Sequence, residues 1–182
     1  MPIHERNRIR STTVVAVVRG GKAAMAGDGQ VTVGHTVLKA TARKVRRLFK
    51  GTVLAGFAGS AADGLTLFDH FETALESHRG HLPKAAVEMA KFWRSDRILR
   101  RLEAQLAVVD REHAFLVSGS GDVVEPDDGI LAVGSGAPYA VAACRALAAH
   151  TDLEPARLVA ESLSIAAQIC IFTNDRILLE EL

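Results

Sequence analysis

The sequence predicts an α+β fold: a four-layer αββα sandwich of two antiparallel sheets, each covered on its outer face by a pair of helices. Element order is the first reason. Runs with strand character are followed by two helical segments, then more strands, then two more helical segments and a short final run. That order lacks the strand–helix alternation of a doubly wound parallel sheet. Composition is the second reason. With 182 residues, 48% apolar and 24% charged, the chain has the balance of a globular domain and enough length for a substantial core.

The elements follow in order. Thr12 to Val18 is rich in β-branched residues, Arg19-Gly20-Gly21-Lys22 is a turn signal, and Ala23 to Ala26 returns as a buried strand. Lys44 to Phe49 and Thr52 to Ala58 are further strands. From Ser60 to His78 apolar residues recur at Leu65, Phe68, Phe71 and Leu75, on one helical face, and Gly80 stops the helix. Pro83 opens a second helix, where proline is well tolerated, with Ala86, Met89, Ala90, Trp93, Ile98 and Leu102 at helical spacing. Its Arg94, Arg97, Arg100 and Arg101 form a solvated or interface face. Leu106 to Val109, Ala114 to Val117 and Ile130 to Val133 are strands separated by turn signals. Pro138 to Ala149 and Pro155 to about Ile169 are helices, and Ile177 to Leu182 is a last strand.

Composition also excludes several functions. No apolar run approaches the roughly 20 residues needed to cross a bilayer, so no membrane partner is expected. A net charge of +1 argues neither for nor against a polyanion. Basic runs such as Arg43-Lys44-Val45-Arg46-Arg47 are usually solvated faces, and 5% aromatic residues offer little for stacking bases, so nucleic acid is not expected as a partner. Two cysteines do not make a disulfide framework, and no Cys/His pair has zinc-ligand spacing. Gly134-Ser135-Gly136 leads into a helix whose amides suit a phosphate. There is no Gly-x-x-x-x-Gly-Lys-Ser/Thr pattern, however, so no nucleotide is expected on this chain. Residues Met1 to Ser11 are basic and polar, without the apolar core of a secretory signal. They read as a flexible tail or a removable pro-segment, and the protein is expected to be cytoplasmic.

The chemistry lies in a spacing. Asp28 stands 16 residues after Thr12, and Lys44 stands 32 after it. A threonine at the start of a chain is a complete catalytic unit, with its hydroxyl as nucleophile and its own α-amine as base. A nearby ammonium lowers the pKa of that amine from its usual value of about 8 and favours the neutral base. A carboxylate compensates the buried cation. Alone, each residue is unremarkable: paired threonines suit strands, Gly27-Asp28-Gly29 suits a turn, and Lys44 is one cation in a basic run. A hairpin returning after Met25 would bring Asp28 beside Thr12, and Lys44 could reach both from a neighbouring strand. Ser11 and Thr13 also carry hydroxyls, but the spacing to Asp28 and Lys44 is set from Thr12.

Thr12-Thr13 before an apolar strand, then Gly27-Asp28-Gly29-Gln30-Val31-Thr32-Val33-Gly34-His35-Thr36-Val37-Leu38-Lys39, then Arg43 to Leu48, resembles the bacterial proteasome-like HslV (ClpQ) peptidases. These belong to the N-terminal nucleophile hydrolases. The likeness continues through Ala55 to Gly59, Gly80-His81-Leu82, Trp93-Arg94, Asp96-Arg97, Gly134-Ser135-Gly136, Pro138-Tyr139-Ala140 and Ile169-Cys170-Ile171. It spans residues 12 to 182 as a single peptidase domain, leaving 1–11 as a pro-segment that is removed.

The resemblance implies a threonine-type endopeptidase: Thr12 as nucleophile, Asp28 and Lys44 as its support, Ser135 organising amine and proton transfers, and the Gly59 N–H at the oxyanion. It implies a monovalent cation, sodium or potassium, held by the backbone carbonyls of Ala167, Cys170 and Thr173, with Ala167 standing where the family has glycine. It implies a homo-oligomer of two stacked hexameric rings around a chamber, taking unfolded proteins from an HslU-type ring ATPase. The competing expectation is a non-catalytic proteasome-like ring scaffold. One departure is plain: eleven residues precede Thr12 where several family members have only methionine.

Overall fold

The structure is a computed structural model, and it describes residues 9–10, 13–59, 61–96 and 104–182. Strand β1 is Ile9–Arg10, β2 Thr13–Arg19, β3 Lys22–Gly27, β4 Val31–Val33, β5 Thr36–Lys39, β6 Val45–Leu48 and β7 Val53–Ala58. Helices α1 (Ala61–Ser77) and α2 (Leu82–Ser95) follow. Then come β8 (Gln105–Val109), β9 (Ala114–Ser118), β10 (Val123–Val124) and β11 (Ile130–Gly134), helices α3 (Ala137–His150) and α4 (Pro155–Ile169), and β12 (Leu178–Glu181).

The strands form a four-stranded sheet in the order β11-β2-β3-β12 and a five-stranded sheet in the order β10-β9-β8-β7-β6. All their pairings are antiparallel. Side chains alternate along each strand, so β2 feeds two different cores. Val14 and Ala16 pack between the sheets with Met25, Leu54, Ala107 and Val109. Val15 and Val17 face the other way, against Leu158, Val159 and Leu163 of α4 and Cys144 of α3. The outer face of the five-stranded sheet buries Phe57, Leu106, Val108 and Val117 under Phe68, Phe71 and Leu75 of α1 and Met89 and Trp93 of α2. Both faces of the central strands are therefore dry, which is why they read as continuous apolar runs rather than an alternation. The result is the αββα sandwich expected from the element order.

Differences from the sequence reading are local. The α2 helix ends at Ser95, capped by Asp96, instead of continuing to Leu102, because the Asp96 backbone turns extended. The expected positions Arg97, Ile98, Arg100, Arg101 and Leu102 lie outside the described residues. Leu65 is 49% exposed; Leu67 takes the buried position beside Phe68 and Phe71. A third, small sheet in the order β1-β4-β5 was not expected. Its β5 strand is exposed at all four positions, so it carries little of the apolar alternation that marks a strand in sequence. In it Ile9 pairs with Val33 and Arg10 with Thr32, so part of the segment before Thr12 belongs to the fold rather than to a loose tail. Among the described residues, no helix is long and apolar enough to cross a membrane.

The sheets approach closely at Gly56 in β7. A Cβ there would lie 2.7 Å from Val14 Cγ1 and 3.0 Å from Met25 Sδ, both from the opposite sheet. Gly56→Ala is therefore expected to destabilise the protein by about 1–3 kcal/mol through overpacking. Chemical denaturation measures this; an unchanged midpoint would show that the layer between the sheets is not close-packed.

Candidate active site

The β2–β3 hairpin turns at Gly20 and Gly21, both with positive φ, which suits a tight two-residue connection. Its register pairs Val14 with Gly27. The residue after β3, Asp28, therefore arrives beside Thr13, and its N–H donates to the Thr13 carbonyl at 3.1 Å. Asp28 is fully buried. Its Oδ1 accepts the Thr13 N–H at 2.7 Å and the Lys44 ammonium at 2.7 Å. Its Oδ2 accepts the Gln30 N–H at 2.9 Å and the Asn174 N–H at 3.3 Å. A carboxylate with four donors around it has its lone pairs satisfied and its orientation set.

Lys44 reaches this carboxylate from the facing sheet, one residue before β6, and only 3% of its side chain is exposed. Its ammonium also donates to the Gln30 carbonyl at 2.6 Å. Burial pushes the Lys44 pKa below its ordinary value of 10.5, and the Asp28 charge and hydrogen bond hold it partly up. An ammonium has three N–H groups. Two are committed to Asp28 and Gln30, and no described residue takes the third.

Thr13 settles its own role. Its side chain is fully buried, its Oγ1 lies 2.6 Å from Thr173 Oγ1, and it accepts the Gly136 N–H at 2.9 Å. That hydroxyl is a structural pin, not an available nucleophile. Thr12 and Ser11 lie outside the described residues.

The remaining expected residues are placed as follows. Gly134 pairs with Thr13, which brings the Gly134-Ser135-Gly136 loop to the start of β2 and leaves Ser135 exposed at the entry to α3. Gly136 must lack a side chain, because a Cβ there would collide with the hydroxyls of Thr13 and Thr173. Gly59 follows β7 with a φ of 149°, a conformation that favours glycine. The pairing of Val45 with Gly56 runs Gly59 and Lys44 to the same end of the five-stranded sheet. Ala167 is in the last turn of α4, Cys170 is its C-cap, and the Thr173 N–H closes a turn onto the Cys170 carbonyl at 3.0 Å. Ala167 has ordinary helical backbone rather than positive φ, so its methyl is compatible with the local conformation.

The family model described as "Proteasome subunit" matches residues 9–182. The chain belongs to the proteasome subunit family. Among solved structures it is similar to the eukaryotic HslV from Trypanosoma brucei, at 40% identity and a TM-score of 0.89, covering 94% of this chain and 99% of that one. It also resembles Thiobacillus denitrificans BPH in complex with epoxomicin, at 20% identity and a TM-score of 0.72, covering 94% and 98%. Thiobacillus denitrificans BPH alone gives 21% identity and a TM-score of 0.69, covering 94% and 97%. The two BPH likenesses speak for the fold alone. The family match and the likeness to HslV make this an HslV-like, proteasome-type threonine peptidase with the sandwich described above.

Sequence reasoning missed three parts of this proteasome-family site: Gln30 as a carbonyl partner of Lys44, the Thr13–Thr173 hydroxyl pair, and Asn174. Gln30 stood in the Gly27-Asp28-Gly29-Gln30 run and was legible there. The other two depend on contacts between residues 160 and 146 positions apart, which no local pattern signals.

Removing one member of a buried pair leaves the other charge uncompensated. Asp28→Asn is expected to lower the Lys44 pKa further and to cost about 3–5 kcal/mol. The double variant Asp28→Asn/Lys44→Met, which buries no charge, should recover much of that loss. Denaturant unfolding of the parent and both variants checks this; equal losses in the single and double variants would contradict it.

Proposed function

We propose that this chain is the peptidase subunit of a two-component ATP-dependent protease, with Thr12 as its N-terminal nucleophile. The observation that supports it most is the buried Lys44–Asp28 pair, bonded to the N–H of the residue immediately after Thr12. Once the chain starts at Thr12, the third Lys44 N–H, which no described residue takes, and its positive charge serve that residue. The charge disfavours protonation of the α-amine, leaving it able to act as base. The hydroxyl oxygen attacks the scissile carbonyl while the amine accepts its proton. The tetrahedral oxyanion forms within reach of the Gly59 N–H, and collapse passes the proton to the leaving amine and leaves an ester on Thr12. Water then attacks the ester by the same route, releasing the acid and restoring the hydroxyl. Ser135 carries protons between amine and substrate.

Maturation is proposed to occur by self-cleavage between Ser11 and Thr12. The two ends of this short stretch are anchored: Arg10 is paired with Thr32, and the Thr13 N–H is bonded to Asp28. The Thr12 hydroxyl attacks the Ser11 carbonyl, with a water near Lys44 and Ser135 taking its proton because the amine does not yet exist. The Ser11–Thr12 C–N bond breaks as that proton passes to the Thr12 nitrogen. A second water hydrolyses the resulting ester, releasing the Ser11 carboxylate and leaving Thr12 with a free amine and hydroxyl. The backbone carbonyls of Ala167, Cys170 and Thr173 would hold a monovalent cation, sodium or potassium. Ala167 is in the last turn of α4, Cys170 is its C-cap and Thr173 follows three residues on, at the end where the helix dipole favours positive charge. When bound, it would stiffen the segment that holds Thr13. The ring chamber, the cytoplasmic setting, the unfolded-protein substrates and an HslU-type ATPase belong to the same proposal, supported by the likeness to HslV. The second reading, a non-catalytic ring scaffold, draws on the pairing of Ile9 and Arg10 with β4, which builds the segment before Thr12 into the fold.

The two readings separate in one experiment. Thr12→Ala is expected to abolish peptide hydrolysis, leave assembly intact and retain the residues before position 12, whereas Thr12→Ser retains measurable activity. Intact mass and a peptidase assay decide it. An uncleaved parent without peptidase activity would support the scaffold, and a Thr12→Ala variant that hydrolyses peptide as fast as the parent would overturn Thr12 as the nucleophile.

Charge placement gives a second test. Lys44→Ala should reduce kcat on the order of 100-fold or more, while Arg43→Ala, whose side chain is exposed, should stay within roughly twofold. Small, equal losses would place Lys44 outside the mechanism.

A further inference from the structure

Asn174 lies on the segment leaving α4, one residue after Thr173, and it is half-buried. Its Oδ1 accepts the N–H of Gly29 at 3.0 Å and that of Arg176 at 3.2 Å. Its Nδ2 donates to the Ala40 carbonyl at 3.1 Å. Its own backbone N–H reaches Asp28 Oδ2 at 3.3 Å. Gly29 is the residue after Asp28, and Ala40 stands four residues before Lys44. The side chain therefore spans the two backbone segments that carry the members of the buried ion pair.

Those segments are in close approach at this point. The Ala42 N–H donates to the Gly29 carbonyl at 2.9 Å, and a Cβ at Gly29 would overlap the Ala40 carbonyl. With no side chain at Gly29 to pack there, the join is made by hydrogen bonds, and Asn174 supplies two of them. The job needs one acceptor and one donor on a single short planar group, which an amide provides. A carboxylate of the same shape has no donor for Ala40, and a methyl has neither.

We propose that Asn174 is a positioning residue: it clips the Gly29 turn to the Ala40 loop and so sets the distance and orientation at which Lys44 and Asp28 serve Thr12. Through its neighbour Thr173, which is paired with the Thr13 hydroxyl, the same segment holds the catalytic strand from a second side. Asn174 touches no reacting atom, and its effect is exerted through the pair. The inference rests on the proposed role of Thr12.

The test compares Asn174→Ala, Asn174→Asp and the neighbouring control Asp175→Ala, in the full-length assembled protein, alongside Thr12→Ala. A model peptide is the substrate, and assembly is checked by size. Asn174→Asp preserves shape and both acceptor bonds but loses the bond to Ala40, so it guards against a variant that fails to fold. Misplacement of catalytic groups by about an ångström costs roughly 100-fold. Both Asn174 variants are therefore expected to lose roughly 10- to 100-fold in kcat with KM within about twofold. Asp175→Ala, at an exposed position, should behave as the parent. Assembled Asn174 variants with parental kcat, or with a loss confined to KM or to the assembled fraction, would overturn the inference while leaving the role of Thr12 standing. An active Thr12→Ala would overturn both.

Discussion

A lysine ammonium buried between two sheets is tolerable only if something nearby carries the opposite charge and the remaining hydrogen bonds are made. Here that something is Asp28, and the rest of the site is arranged around its carboxylate. Four donors converge on its two oxygens, from the start of β2, from the turn after β3, from the segment leaving α4 and from the residue before β6. Each donor is a point at which a separate stretch of chain is held. The pair thus serves as a tie between distant parts of the fold as well as a source of charge.

The sandwich explains why the tie falls where it does. Asp28 follows a strand of the four-stranded sheet, and Lys44 precedes a strand of the five-stranded sheet. The apolar layer between the sheets runs out at this end. A Cβ on Gly27 would meet Val45 at 3.2 Å and Lys44 Cβ at 3.4 Å, which shows how near the two sheets are just before the polar cluster begins. A charge placed at that margin is backed by the apolar core on one side and hydrogen-bonded into the polar cluster beside Thr13 on the other. The lowered Lys44 pKa is the electrostatic consequence of that placement.

Much of this was legible in the sequence. The apolar runs of β2, β3, β7 and β8 are long enough to announce strands, and helices α3 and α4 open at prolines where a missing N–H does no harm. The two-glycine turn was legible as a hairpin signal, and the register of that hairpin brings Asp28 to Thr13. What was not legible has a common cause. The β4–β5 hairpin is largely exposed and bears little alternation, and Arg10 pairs with Thr32 through backbone atoms, which are the same whatever the side chain. The end of α2 was overestimated because helical periodicity continued past the point where the backbone at Asp96 turns extended.

Local chemistry in the chain was therefore sufficient to predict the layer order and the resemblance and to single out Thr12, Asp28 and Lys44 as candidates. These depend on periodicity, turn residues and short-range spacing, which are properties of neighbouring residues. Tertiary structure alone decided that Thr13 is a buried pin, that Gly136 must be bare of a side chain, and that Thr173 and Asn174 reach back across the molecule to the first strand and its turn. Those roles arise where α4 ends against β2 and β3, and a contact between the two ends of a chain has no signature in either end alone.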